Sequence, residues 1–188
     1  MRLGFNEAND RFCQGHTVMQ DLELCEKYGF DCIDIQSECL NRDLEKGIVT
    51  IEELGAWFAT HHLKMLSYNA LCFFNMKQTA EEKQAVMDEL DEIIRRCNIL
   101  GCKMIVVVPS QDMKARGLQP TRKEIREDAV AVLKEMVKKV EPHGIKLSLE
   151  FCGAPDMTIN RFEDAYAIVE AVDSPLVGVT LDQYHFYA

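Results

Sequence analysis

The fold is decided by the stretch from residue 103 to residue 150, which begins Lys103-Met104-Ile105-Val106-Val107-Val108 and ends Lys146-Leu147-Ser148-Leu149-Glu150. Short apolar runs of this kind are typical of parallel strands that are buried on both faces. Between the two runs, apolar residues recur at steps of three or four: Ile125, Ala129, Val132, Met136 and Val140. That spacing predicts an amphipathic helix, so the whole stretch predicts a β-α-β unit with a right-handed crossover.

The same alternation of strand and helix runs along the rest of the chain. It predicts six strands, at Arg2–Asn6, Cys32–Gln36, Lys64–Asn69, Lys103–Val108, Lys146–Glu150 and Val177–Asp182. An open doubly wound sheet would be expected to carry a Gly-x-Gly-x-x-Gly turn after its first strand, but the chain has Asn6-Glu7-Ala8-Asn9 there. We therefore predict an α/β fold of the (β/α)8 TIM-barrel type, with about six βα units present.

Strand spacing also predicts that the barrel is incomplete. Successive strands start about 35 residues apart, so eight units would need about 280 residues, a usual length for such barrels. We expect residues 1–188 to form a single barrel domain that lacks strands seven and eight. Because two strand edges would then be unpaired, we expect the isolated chain to pair with a second copy or to be poorly soluble.

Composition and charge narrow the class of partner. The net charge of −10 argues against nucleic acid and anionic membranes, which require a basic surface. No run of 18 apolar residues is present to span a membrane, and the N-terminus lacks the apolar core of a signal peptide. The 8 cysteines include no Cys-x-x-Cys pair, which indicates free thiols in a reducing cytoplasm.

Polar residues stand at the predicted C-terminal strand ends, where barrels of this kind carry their catalytic groups. They are Asn6, Gln36, Asn69, Ser110, Glu150 and Asp182. Glu150 and Asp182 end neighbouring strands about 5 Å apart, so their carboxylates would repel each other unless a cation lay between them. A divalent metal with oxygen ligands would fill that role, although both carboxylates could instead cap helices or pair with arginines.

The histidines are interpreted by their position relative to the predicted strands. His185 follows Asp182 by three residues and could ligate a metal, donate to a substrate or lie on the surface. His61 and His62 precede the third strand, at the end of the barrel that serves stability, so we expect them to be structural.

Six segments, in order along the whole chain, resemble the xylose-isomerase-like barrel superfamily. They are Leu3-Gly4-Phe5-Asn6-Glu7-Ala8, Leu22-Glu23-Leu24-Cys25-Glu26-Lys27-Tyr28-Gly29, Thr60-His61-His62-Leu63-Lys64, Asn69-Ala70-Leu71-Cys72-Phe73-Phe74-Asn75, Leu149-Glu150-Phe151-Cys152-Gly153 and Leu181-Asp182-Gln183-Tyr184-His185-Phe186. The first and fourth segments point to the branch of the superfamily that acts on inososes.

The resemblance implies a divalent metal (Mn, Co, Zn or Mg) held by Glu, Asp, His and Glu from strands five to eight. Glu150 matches the first glutamate and Asp182 the aspartate, whereas His185 matches a histidine that contacts substrate. The remaining two ligands, one of which is the second acid–base group, would lie beyond residue 188. Because that group would be missing, we expect residues 1–188 alone to be inactive as an isomerase.

The activity implied is that of a sugar or polyol isomerase of myo-inositol catabolism. Such an enzyme moves a proton between adjacent carbons of a keto-polyol, an inosose, through an enediolate. Glu150 would be both metal ligand and catalytic acid–base, while His185, Asn69, Asn6 and Gln36 would bind substrate hydroxyls. A ketose 3-epimerase or hydroxypyruvate isomerase, a metal-dependent endonuclease, and a non-catalytic fragment or binding protein on the same barrel are the alternatives.

Overall fold

The computed structural model describes residues 2–9, 13 and 15–187. Its strands are β1 (Gly4–Asn6), β2 (Cys32–Gln36), β3 (Lys64–Cys72), β4 (Met104–Val108), β5 (Lys146–Glu150) and β6 (Val177–Thr180). Its α-helices are α1 (Val18–Lys27), α2 (Ser37–Glu45), α3 (Ile51–Thr60), α4 (Ala80–Leu100), α5 (Arg122–Val140) and α6 (Phe162–Val172). Short 3₁₀ helices follow at Glu7–Asn9, Glu141–His143 and Gln183–Phe186.

The six strands lie in the sheet in the order in which they occur along the chain. β1 pairs with β2, β2 with β3, and β5 with β6, each time in parallel. This arrangement confirms the predicted α/β fold class. The predicted bounds of β2 and β5 are confirmed to the residue, whereas β3 continues three residues past Asn69 to Cys72.

Alternation of side chains gives the central strands one apolar and one polar face. In β2, Ile33 and Ile35 are fully buried while Asp34 between them is only half-buried. In β5, Leu147 and Leu149 are likewise buried, and Glu150 lies on the opposite face. The apolar faces supply the packing for the helices, so the polar side chains are left to line the other face of the sheet.

Helices α1, α3 and α5 each begin with a capping box, in which a threonine and a residue three positions later satisfy each other's backbone N–H groups. The box predicted at Thr121 and Glu124 is present at the start of α5. Thr17 with Gln20 and Thr50 with Glu53 form the same motif at α1 and α3. These caps fix the residue at which each helix begins after its loop.

The chain forms two compact units. The first comprises Met1–Ala70 and Ile93–Met104, and the second Leu71–Glu92 and Ile105–Ala188. Among the described residues, none of the helices combines the length and the apolar composition that a membrane crossing requires.

Candidate metal centre

Glu150 is the last residue of β5, in the second unit. It stands opposite Thr180 in the parallel register with β6. Two residues earlier on the same face of β5, the Ser148 hydroxyl lies 2.6 Å from the Thr180 hydroxyl, in a hydrogen bond that ties the two strands together. The strand pair therefore places the Glu150 carboxylate at the end of the sheet, where β6 also ends.

Asp182 stands two residues after the end of β6, which the sequence had predicted to run through to Asp182. That prediction of the strand end is wrong, because β6 stops at Thr180 and Asp182 precedes a 3₁₀ helix. The Asp182 Oδ1 atom accepts a hydrogen bond of 2.8 Å from the backbone N–H of Tyr184. This local bond competes with strand continuation and fixes the orientation of the carboxylate.

His185 lies in the same 3₁₀ helix, with its ring against the buried Phe151 at a centroid distance of 6.3 Å. Its Nε2 atom lies 3.8 Å from the Oε1 atom of Glu150. Its Nδ1 atom is buried and makes no hydrogen bond to any part of the chain that the structure describes. The imidazole is therefore held beside the two carboxylates by packing.

Glu150, Asp182 and His185 form a group that could hold a metal ion. One ligand atom from each residue lies within 4.8 Å of the other two. Two ligands at about 2.1 Å from one metal ion are at most about 4.2 Å apart, so the 3.8 Å separation of Nε2 and Oε1 already falls within that limit. Two carboxylates and one imidazole suit Mn²⁺, Zn²⁺ or Co²⁺. The residues present fit a divalent metal.

Cys152 is the thiol close enough to this group for the charges of Glu150 and Asp182 to act on it. Burial, with a further contribution from the negative charge of Glu150, raises the pKa of the Cys152 thiol to about 12. Metals are bound by the thiolate, which this environment disfavours.

The three other predicted site residues lie in the first unit. The Gln36 side-chain nitrogen is 3.5 Å from the Asn6 Oδ1 atom, a weak contact between β1 and β2. Asn69, which lies inside β3 and not at its end, donates a hydrogen bond of 3.0 Å to Asp34.

Asp34 and Ser67 belong to the same polar face and were not singled out from the sequence. The Ser67 hydroxyl donates to Asp34 at 2.5 Å, and burial raises the pKa of the Asp34 carboxyl. The available signal was the alternation Ile33-Asp34-Ile35, since a carboxylate between two buried residues must face the other side of a strand.

The two adjacent histidines have partners within the fold. His62 places Nδ1 2.7 Å from the Glu26 carboxylate and Nε2 2.8 Å from the Phe30 carbonyl oxygen. His61 stacks on Trp57 with ring centroids 3.9 Å apart. Both imidazoles thus support the loop that precedes β3, as the sequence predicted.

Comparison with known proteins adds independent findings. A family model described as the xylose isomerase-like TIM barrel matches residues 22–188. An inosose isomerase of Bacillus velezensis is 37% identical over 188 residues, which are the whole of this chain and 64% of the relative. The inosose isomerase of Bacillus subtilis (strain 168) is also 37% identical, over the whole chain and 65% of the relative.

A solved structure shows the same likeness in three dimensions. The crystal structure of the IolI protein with a bound zinc atom matches with a TM-score of 0.91 and 38% identity, over all of this chain and 65% of that one. The chain thus spans just under two thirds of the length of the relatives that it matches.

Proposed function

The chain belongs to the xylose isomerase-like TIM barrel family, and we propose that it is part of a divalent-metal-dependent inosose isomerase. Such an enzyme exchanges the carbonyl and an adjacent hydroxyl of a cyclic keto-polyol. The observation that carries the proposal is the convergence of Glu150, Asp182 and His185, whose ligand atoms lie within 4.8 Å of one another. The zinc atom bound by the IolI protein supports the metal part of it.

We propose that Glu150 and Asp182 hold the metal. A divalent cation bound there would supply a Lewis acid that stabilises the negative charge developing on the carbonyl oxygen of the substrate. The Asp182 carboxylate is already oriented by the Tyr184 N–H, so it loses little side-chain freedom when it binds.

Glu150 has a second role as the base. Its carboxylate takes the proton from the carbon that bears the hydroxyl, the electron pair of that C–H bond forms a C=C bond, and the π pair of the carbonyl moves onto its oxygen, which gives an enediolate. The hydroxyl proton then passes to that oxygen, the C=C electron pair takes the proton back at the former carbonyl carbon, and the other oxygen becomes the new carbonyl. His185 is placed to donate a hydrogen bond to a substrate oxygen, because its ring faces the Glu150 carboxylate across 3.8 Å. In the first unit, we propose that Asn6, Gln36 and Asn69 bind polyol hydroxyl groups.

The free cysteines suit a reducing compartment, and we propose a cytoplasmic location for the enzyme. The substrate is a small polyol, for which neither nucleic acid nor a membrane is required.

Binding of the ligand beside the metal can be tested with Mn²⁺, which accelerates the proton relaxation of molecules close to it. We expect 2-keto-myo-inositol to show this acceleration with the unaltered chain and to lose it with Glu150→Gln. The matched control is Glu170→Gln, the same substitution at an exposed position of α6.

Parallel titrations with a ketohexose and with hydroxypyruvate separate the related activities. If the protons of either compound relax faster than those of the inosose, the proposed substrate class is that compound's class and not the inososes. If the inosose relaxes equally fast with the unaltered chain and with Glu150→Gln, Glu150 is not part of the site. Proton exchange at the inosose carbons in D₂O then measures the acid–base step directly.

A further inference from the structure

Asp34 is a carboxylate on the polar face of β2 that no step of the proposed reaction uses. Its Oδ1 atom accepts a hydrogen bond of 2.5 Å from Ser67, and its Oδ2 atom accepts one of 3.0 Å from the side-chain nitrogen of Asn69. Ser67 is 4% exposed, so this end of the group is shielded from water. Within the described part of the chain, Asp34 has no cationic partner.

Burying an ionised carboxylate costs folding free energy when all of its hydrogen-bond donors are neutral. Burial raises its pKa, and the two hydrogen bonds oppose that rise only in part. The carboxylate therefore calls for a role that an apolar residue would not perform.

The chemistry of Asp34 fixes the orientation of the Asn69 amide. An ionised carboxylate can only accept hydrogen bonds, so the amide nitrogen must face Asp34 and the Oδ1 atom must face away. No described residue donates a hydrogen bond to that oxygen. Asn69 is half-buried, so the oxygen remains an acceptor beside a polar, partly open surface.

We propose that Asp34 is a positioning residue, which holds Asn69 so that the Asn69 carbonyl oxygen accepts a hydrogen bond from a hydroxyl of the polyol substrate. This inference rests on the proposed function, because it takes the ligand to be a polyol. It adds a residue that acts through Asn69 and does not itself touch the ligand. Ser67 serves the same end, since it holds the second oxygen of the Asp34 carboxylate.

A double-mutant cycle tests this relationship, with 2-keto-myo-inositol as the probe and calorimetry in Mn²⁺ as the measurement. We expect Asp34→Ala to weaken binding about tenfold, the size of one well-formed hydrogen bond. In an Asn69→Ala background the same substitution should change the affinity by less than about twofold, because the residue through which Asp34 acts is gone. Asp34→Asn keeps one accepting oxygen and the volume, so it should restore most of the affinity.

The control is Glu23→Gln, which removes an exposed carboxylate of α1 and should bind as the unaltered chain does. Thermal melting checks each variant, and if Asp34→Ala does not fold, Ser67→Ala in the two backgrounds gives the same comparison with a smaller expected effect, because it removes one of the two hydrogen bonds that hold the Asp34 carboxylate. An equal loss with and without Asn69, or no loss at all, would overturn the positioning role while leaving the polyol assignment intact. Failure of the unaltered chain to bind the inosose would instead overturn the proposed substrate, and this role with it.

Discussion

The Nε2 atom of His185 lies 3.8 Å from the Oε1 atom of Glu150. That separation is too long for a direct hydrogen bond, which would require about 3.2 Å or less, yet short enough for both atoms to contact one bound ion or oxygen atom. The spacing arises because His185 belongs to a 3₁₀ helix that Asp182 caps, while Glu150 belongs to a strand. The spacing therefore leaves room for one bound ion or oxygen atom to contact both side chains.

His185→Ala distinguishes a substrate contact from a metal ligand. We expect this substitution to weaken the binding of 2-keto-myo-inositol about tenfold, since one hydrogen bond to the ligand is lost, and to change the Mn²⁺ affinity less than about threefold. Calorimetric titration measures both constants. His143→Ala, at an exposed histidine, is the control. If His185→Ala lowers the Mn²⁺ affinity as much as Glu150→Gln does, His185 is a metal ligand.

Phe151 connects the site to the core. Its ring is 2% exposed and packs edge-on against Phe186, with centroids 4.9 Å apart, and against His185. We expect Phe151→Ala to lower the free energy of unfolding by about 3 to 5 kcal/mol, because it leaves a cavity. Phe151→Leu should cost about 1 kcal/mol.

Urea denaturation measures these losses. Tyr166→Ala is the control, because that ring is 53% exposed and its removal should change the stability by about 0.5 kcal/mol or less. A loss for Phe151→Ala no greater than that of the control would show that the ring is not part of the packed core.

The pair of Glu26 and His62 predicts a pH dependence of stability. The hydrogen bond that His62 donates to the Glu26 carboxylate raises the pKa of His62 above its ordinary value of 6.5. A raised pKa in the folded state contributes stability that is fully present below the unfolded value and is lost as the pH rises through the folded one. The penalty of Glu26→Gln should therefore be larger at about pH 5.5 than at about pH 9.

Thermal melts at the two pH values measure the difference, and NMR titration of the imidazole should show the pKa of His62 falling in the variant. Glu23→Gln on the same helix should show neither change. An unchanged His62 titration in Glu26→Gln would contradict the assigned cause of the shift.

The limits of a strand could be predicted from the sequence where turn-forming or charged residues stand at both of its ends. Lys146–Glu150 is bounded by a glycine turn and by a carboxylate, and its limits were predicted to the residue. The sequence predicts residues 181 and 182 as strand because an apolar residue precedes a polar one. In the structure, the strand ends earlier, because the Asp182 side chain accepts a hydrogen bond from the Tyr184 N–H and the chain turns there. The sequence predicts Asn69 as the end of β3 because the residue is polar. In the structure, the apolar residues after Asn69 continue the strand to Cys72.

The candidate metal ligands Glu150 and Asp182 could be singled out because each stands near the end of a strand. Asp34 was missed because it lies in the middle of one, where a polar residue between two isoleucines gives no signal of a terminus. Its partners, Ser67 and Asn69, lie more than 30 residues away along the chain, and only the parallel register of β2 and β3 brings them together. Register of that kind depends on the whole sheet, so spacing along the sequence does not predict it.

Titration of the chain with Mn²⁺ and with Zn²⁺, followed by calorimetry, tests the metal centre most directly. We predict that one ion binds per unaltered chain. The affinity should be at least about tenfold lower for Glu150→Gln and unchanged for Glu170→Gln. The two variants should differ because Glu150 lies beside Asp182 and His185, whereas Glu170 does not. Asp182→Asn should weaken binding in the same way. Failure of the unaltered chain to bind either ion, or equal affinity in Glu150→Gln, would contradict the assignment of Glu150 and Asp182 as metal ligands.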